Sequence, residues 1–285
     1  MSDLLNLNET SAGVWAISQA NGQELWRYTT RPTTPANESP RPFAHPMYSI
    51  DGDVLTNARP NDHPWHHGLS LTLTSVDGVN FWGGPSHRAK DSYQWRDDHG
   101  RQDHVGWTLQ TPERLEEELV WVDPRRDDLV LLRETRVLAT ELREAGWSLR
   151  WTSRLCNPGA TPRRCENYHS LGGLAGSHYT GLQFRGARGL LDQHGDASIG
   201  FKNSHGDTTL DTVHGAMADW VEWSTQHDGS LRRTTVRFES PGQPLPWFVR
   251  PLDPMVAFPP HRETAWSIAA GATVELHHVL HFDRT

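Results

Sequence analysis

Cysteine is nearly absent: Cys156 and Cys165 are the only two in 285 residues. A secreted domain stapled by disulfides uses more, so the pair reads as two reduced, buried thiols. Long apolar runs are missing as well. No stretch approaches the roughly 20 residues needed to cross a bilayer. The opening MSDLLNLNETSAGVWAIS has neither a basic start nor a long apolar middle, so no signal peptide is expected. The expectation is a cytoplasmic protein with no membrane partner. Runs of Lys and Arg are missing too, and the net charge is −8. Nucleic acid needs a basic face, so no nucleic-acid partner is expected. There is no GxxxxGK[ST] phosphate loop and no HExxH pair. No repeat at fixed period and no low-complexity tract stands out. Nothing marks a boundary, so residues 1–285 are taken as one domain.

What is present is aromatic and histidine-rich. Thirteen tryptophans point to either a Trp-rich core or a ligand groove, and there are seventeen histidines. Short alternating segments recur along the chain, separated by Gly, Pro, Asn and Asp. Residues 12–18 and 23–29 flank Asn21-Gly22, a hairpin signal. Similar runs follow at 69–76, 105–111, 115–123, 147–156, 198–202, 220–224, 231–240 and 272–282. Residues 129–145 mix helix formers with alternation, and alternation slightly favours strand. Residues 85–103 read as a long exposed loop. Residues 241–263 carry too many prolines for regular structure. Many short strands with regular turns predict an all-β protein, an antiparallel β-sandwich.

The most informative stretch is RPFAHPMYSIDGDVLTNARPNDHPWHHGL, residues 41–69. It crowds His45, His63, His66 and His67 around Trp65, where a loop feeds a strand. Functional groups are usually mounted at such places. Histidine changes charge near neutral pH and its neutral ring binds metals. On a regular strand His66 and His67 would face opposite ways; the flanking proline and glycine permit a bend. His63, His66 and His67 are therefore candidates for acid/base catalysis, with zinc ligation as the alternative. The ordinary alternative is a set of rings bonded to Asp51, Asp53 and Asp62. A second candidate group, His169 and His178 with Tyr179, surrounds the glycine-rich LGGLAGSHYTG, where backbone can approach a ligand closely. Arg185 and Arg188 offer forked donors suited to carboxylates, against the commoner outcome of a surface salt bridge. Trp65, Trp82, Trp95 and Trp247 fall at loop edges and suit sugar faces. Trp15, Trp26, Trp121, Trp151 and Trp266 alternate in strands and suit the core.

Taken together, the 41–69 block, GVNFWGG, GLQFRGAR, PWFVR and the closing AAGATVELHHVLHF resemble the PmoA-like family, a soluble domain of unknown function in sugar-catabolic bacteria. The resemblance covers roughly residues 40–282. The family's name comes from a membrane-spanning methane monooxygenase subunit, an activity that this chain, lacking a span, does not suit. Ala270-Gly271 before the last strand is similar to the end of the galactose-mutarotase-like supersandwich. ENYHS is similar to the Asn-His-Ser motif of aldose epimerases, with Tyr168 standing between Asn167 and His169. The resemblance implies a supersandwich that handles carbohydrate. The expected function is His-based proton transfer on a sugar or sugar acid: epimerisation, hydrolysis or elimination. His63, His66, His67, His169 and His178 are the catalytic candidates. Arg41, His45, Trp65, Trp82, Tyr179, Arg185 and Arg188 are the substrate-binding candidates. No cofactor is expected on that reading. A zinc enzyme and a non-catalytic sugar-binding module are the rivals.

Overall fold

A computed structural model describes residues 4–88, 91–192 and 194–285. Among these residues the strands build two large antiparallel sheets. The eight-stranded sheet runs, in spatial order, Leu5–Ser11, Val14–Gln19, Glu24–Thr29, Phe43–Met47, Leu69–Thr72, Gly181–Arg185, Met255–Phe258 and Phe248–Arg250. The nine-stranded sheet is centred on Thr273–Arg284, with Arg233–Glu239 on one side and Gly146–Cys156 on the other. Inward residues of both sheets share one core, in which Trp26, Trp121, Trp147, Trp151, Trp223 and Trp247 are fully buried. The architecture is the antiparallel β-sandwich expected from the alternation. No helix among the described residues is long and apolar enough to cross a membrane. Cys156 and Cys165 are both free, and only Cys165 is buried.

The ambiguous segment is a strand, Leu129–Leu142, and its inward positions are Leu132, Glu134, Arg136, Leu138 and Thr140. Two expectations are corrected. Residues 85–103 are not one exposed loop. Ser86–Arg88 pairs with Asp91–Gln94, and Asp98, His99 and Gln102 are buried. Their polar atoms find partners inside: Ser86 Oγ donates to Asp98 Oδ1 at 2.9 Å and Gln102 Nε2 to the Leu71 carbonyl at 2.9 Å. The proline-rich 241–263 also holds regular structure. Phe248–Arg250 and Met255–Phe258 pair as a hairpin whose prolines, Pro251 and Pro254, sit in the turn, where no ladder hydrogen bond is needed. Trp247, expected at a loop edge facing ligand, is instead in the core, its indole N–H donating to the Ala218 carbonyl at 2.7 Å.

Candidate functional site

The outward face of the eight-stranded sheet is where the site lies. Strand residues alternate faces, so Phe184 and Val256 enter the core while Gln183, Arg185, Met255 and Ala257 face the other way. On that outer face the aromatic residues Trp65, Trp82, Tyr179 and Phe248 gather over Met255 and Ala257. They wall a pocket of about 900 Å³, which also receives His63, His66, Tyr93, His214 and Arg250.

The 57–68 loop is held down tightly. Asn57 N–H bonds the Arg185 carbonyl, Gly68 N–H bonds the Asn57 carbonyl, and Arg59 N–H bonds the His66 carbonyl. Gly68 returns the chain against the strand before it, so closely that a Cβ would lie 2.2 Å from the Ala44 carbonyl oxygen. Arg41 lies underneath, fully buried. It donates to the carbonyls of Ser39 at 3.0 Å, Trp65 at 2.8 Å and Trp82 at 3.1 Å. Every part of its fork is thus committed to protein, and it serves as the peg beneath both tryptophan segments. Burial pushes its pKa down to about 9.

His66 and His67 diverge, as strand geometry expects. His66 turns to the pocket. His67 turns inward, where Nε2 meets Glu38 Oε2 at 3.1 Å and Arg59 grips the same carboxylate. Burial brings His67 down to about 4 against the pull of Glu38. His45 is likewise occupied, with Nδ1 2.9 Å from Thr56 Oγ1. The histidines of this loop therefore do not converge as a ligand set. Among the described residues no group of three or more His, Cys, Asp or Glu side chains could hold a metal ion.

His63 and His66 remain together on the wall, stacked at 4.9 Å with 26° between ring planes. His63 Nδ1 lies 2.7 Å from Asp62 Oδ2. Burial works to raise the Asp62 carboxyl, but the His63 hydrogen bond and Arg185 outweigh it and hold it low. Asp62 thus accepts Nδ1–H and leaves His63 Nε2 with its lone pair free, the arrangement of a general base. His66 is different. Burial, then Arg185, holds it well below 6.5, so it is neutral. Arg185 Nη1 faces its Nδ1 at 3.5 Å, which puts the ring proton on Nε2 and makes His66 a donor.

The second expected group is split. Tyr179 lines the pocket, its hydroxyl 2.9 Å from that of Tyr93 and its ring 4.8 Å from Trp82. His178 is buried one layer behind, between the Gly176 and Pro246 carbonyls at 3.0 Å each, and burial followed by His214 pushes it down to about 4. His169 sits at the base of the glycine turn, away from the pocket, with its N–H on the Ser177 carbonyl. Arg185 and Arg188 stand beside the site and share Asp62 and Asp253. Sequence reasoning missed His214, which faces the pocket from the end of a four-residue helix, and Arg250. Arg250 was detectable in principle: it lies two residues after Phe248 on one strand and so shares its face.

Gly84 tests how closely the wall is built. It has φ +69°, and a Cβ there would lie 2.4 Å from Trp65 Cε2. Gly78 has φ +80° with open space around it. Both glycine-to-alanine variants carry a backbone cost of roughly 1 kcal/mol. Gly84→Ala adds overpacking of roughly 1–3 kcal/mol. In thermal denaturation G84A is expected to melt several degrees below G78A; equal melting would mean Trp65 is free to move aside.

A family model described as "Family of unknown function (DUF6807)" matches residues 17–284. No curated protein matches the chain. Among solved structures it is similar to the Slr1438 protein from Synechocystis sp. PCC 6803, with 11 % identity, 100 % of this chain and 99 % of that one covered, and a TM-score of 0.42. It is also similar to a galactose mutarotase related enzyme from Lactobacillus acidophilus, with 8 % identity, 98 % and 97 % covered, and a TM-score of 0.41.

Proposed function

We propose that this chain, which belongs to the DUF6807 family of unknown function, binds a carbohydrate or carbohydrate derivative in the aromatic pocket and acts on it by proton transfer. The observation that carries this reading is the Asp62–His63 pair beside neutral His66 on one wall of that pocket. A pocket of several hundred Å³, mostly apolar with a few convergent polar groups, is the usual form of a small-molecule site. Trp65, Trp82, Tyr179 and Phe248 offer ring faces for the C–H faces of a sugar. His63 Nε2 takes the proton from an acidic C–H or hydroxyl. His66 Nε2–H donates to the oxygen on which charge develops. Such a base contributes roughly 10²–10⁴-fold.

The test is a panel of sugars, lactones and sugar acids at millimolar concentration. Thermal shift reads binding, and NMR in D₂O reads turnover and solvent-deuterium incorporation. At least one class is expected to raise the melting temperature and to be turned over. His63→Ala should then lose about 10²–10⁴ in rate. No shift across the panel overturns the carbohydrate reading. Binding without turnover, or undiminished turnover in H63A, overturns the catalytic assignment.

A further inference from the structure

We propose that the ligand of this pocket is a carboxylate monoanion and that Arg250 is the residue that holds it. The inference rests on the carbohydrate reading above and narrows it to sugar acids. Two guanidinium groups and two carboxylates meet at one corner of the site, and a third guanidinium stands on the same sheet face two strands away: Arg250 is opposite Met255, which is opposite Arg185. Arg185 Nη2 lies 3.6 Å from Asp62 and 3.4 Å from Asp253. Arg188 Nη2 lies 2.6 Å from Asp62, and its Nε 3.7 Å from Asp253. Both carboxylates are thereby shared by the same two arginines, and Asp62 also takes His63. Arg250 is the third cation. It lines the pocket half-buried, and its side chain has no hydrogen bond or ion pair with any described residue.

The corner is therefore one negative charge short, and the shortfall faces the pocket. The Arg250 charge reaches both Arg185 and Tyr179. An uncompensated cation in a partly dry site favours an anionic partner. A guanidinium offers two parallel N–H donors to the two oxygens of a carboxylate. One surplus charge matches one carboxylate; a phosphate dianion would leave the corner overcharged. Asp211 is the remaining carboxylate on the lining. It is exposed on the short helix Leu210–Val213 and forms no ion pair with Arg250.

Arg41, Arg185 and Arg188 were the arginines that sequence reasoning offered for this task. Arg41 is spent on backbone carbonyls, and Arg185 and Arg188 are already ion-paired with Asp62 and Asp253, Arg185 at 3.4–3.6 Å with Nε and Nη2 lacking a hydrogen bond. Arg250 is left as the free fork, on the same strand face as Phe248, so a bound acid would set its carboxylate at Arg250 and its ring against the aromatic wall.

The experiment is a set of matched calorimetric titrations at low and moderate salt: D-glucose against D-glucuronate and D-gluconate, with D-glucose 6-phosphate as the dianion. In the wild type an acid is expected to bind at least about tenfold tighter than the neutral sugar and tighter than the phosphate, with the advantage shrinking as salt rises. In Arg250→Gln that ratio should fall to about one. In Arg250→Lys part of it should return. Circular dichroism melts of both variants establish that they are folded. If the neutral sugar binds as tightly as the acids, or the ratio survives in R250Q, the anion assignment is overturned while the carbohydrate reading stands. If the phosphate wins, the monoanion assignment falls. If none of the four binds, both readings fall together for hexose-sized ligands.

Discussion

Lowering the pH from 7 to 5 is expected to remove most of the folding stability of this protein. Burial first, and neighbouring cations or imidazoles second where present, pushes His45, His67, His178 and His261 from the ordinary 6.5 down to about 4, and His278 to about 3. His66 is also well lowered. In the fold these rings stay neutral; in the unfolded chain they take up protons below pH 6.5. The unfolded state then binds more protons, so stability rises with pH across this window. The contribution is fully present above 6.5 and is lost as pH falls towards 4. At pH 5 each ring costs about 2 kcal/mol. The five with assigned values together cost about 10 kcal/mol, as much as a whole domain usually has. Carboxylates held low in the fold, Asp53 by Arg232 and Glu38 by His67 and Arg59 against their burial, add their own loss only below about pH 4.5. Urea titrations at pH 7, 6 and 5 should show the midpoint falling steeply; a flat midpoint down to pH 5 refutes the argument. His278 supplies an internal control. Both of its ring nitrogens are buried without a partner. His278→Leu removes one proton-accepting ring and strands no hydrogen bond, so it should not lower the melting temperature at pH 7 and should move acid unfolding to lower pH.

How much of this was legible in the sequence depended on what each segment had to bury. Where most inward positions are apolar, as in residues 147–156 with Trp147, Leu149, Trp151 and Leu155, alternation identified the strand. Leu129–Leu142 was harder because two of its inward residues are Glu134 and Arg136, both good helix formers. Tertiary partners, not local preference, make that segment a strand. The hairpin 248–258 was hidden because its prolines occupy the turn and flanks, and counting prolines does not say which hydrogen bonds they omit. The site followed the same division. His63, Trp65, His66 and Tyr179 declared themselves by composition and fall in one pocket. The sequence could not say that His67 and Arg41 would be drawn inward, because Glu38 and the carbonyls that hold them come from other segments. Nor could it separate Arg250 from Arg185 and Arg188, since only packing decides which cation is left without an acid.

Arg136→Met is expected to destabilise the protein by about 3–5 kcal/mol, a fall of roughly 5–10 °C in melting temperature for a chain of this size. Arg136 is fully buried between the sheets. Its Nε and Nη2 grip both oxygens of Glu134 at 2.8 and 2.9 Å, its Nη1 donates to Tyr28 Oη at 2.7 Å, and its fork lies 4.8 Å over the Trp151 ring. Glu134 also accepts from Trp121 Nε1 at 2.8 Å and Ser153 Oγ at 2.6 Å. Glu117 accepts from Tyr28 and pairs with His104 Nδ1 at 2.6 Å. Burial alone would lower Arg136, but Glu134, Tyr28 and Glu117 outweigh it and hold the cation above its ordinary value. Removing it leaves two buried carboxylates without their shared cation. Because Tyr28 belongs to the eight-stranded sheet and the charged residues to the nine-stranded one, the cluster also fixes how the two sheets register. A cycle of R136M, Glu134→Gln and the double variant tests this. E134Q in the R136M background should recover part of the loss, since it removes the stranded charge; strict additivity, or a loss below about 1 kcal/mol in R136M, would mean that the cluster is not a coupled unit. The aromatic pocket lies on the opposite face of the eight-stranded sheet, so any ligand-induced thermal shift should persist in R136M even as the baseline falls.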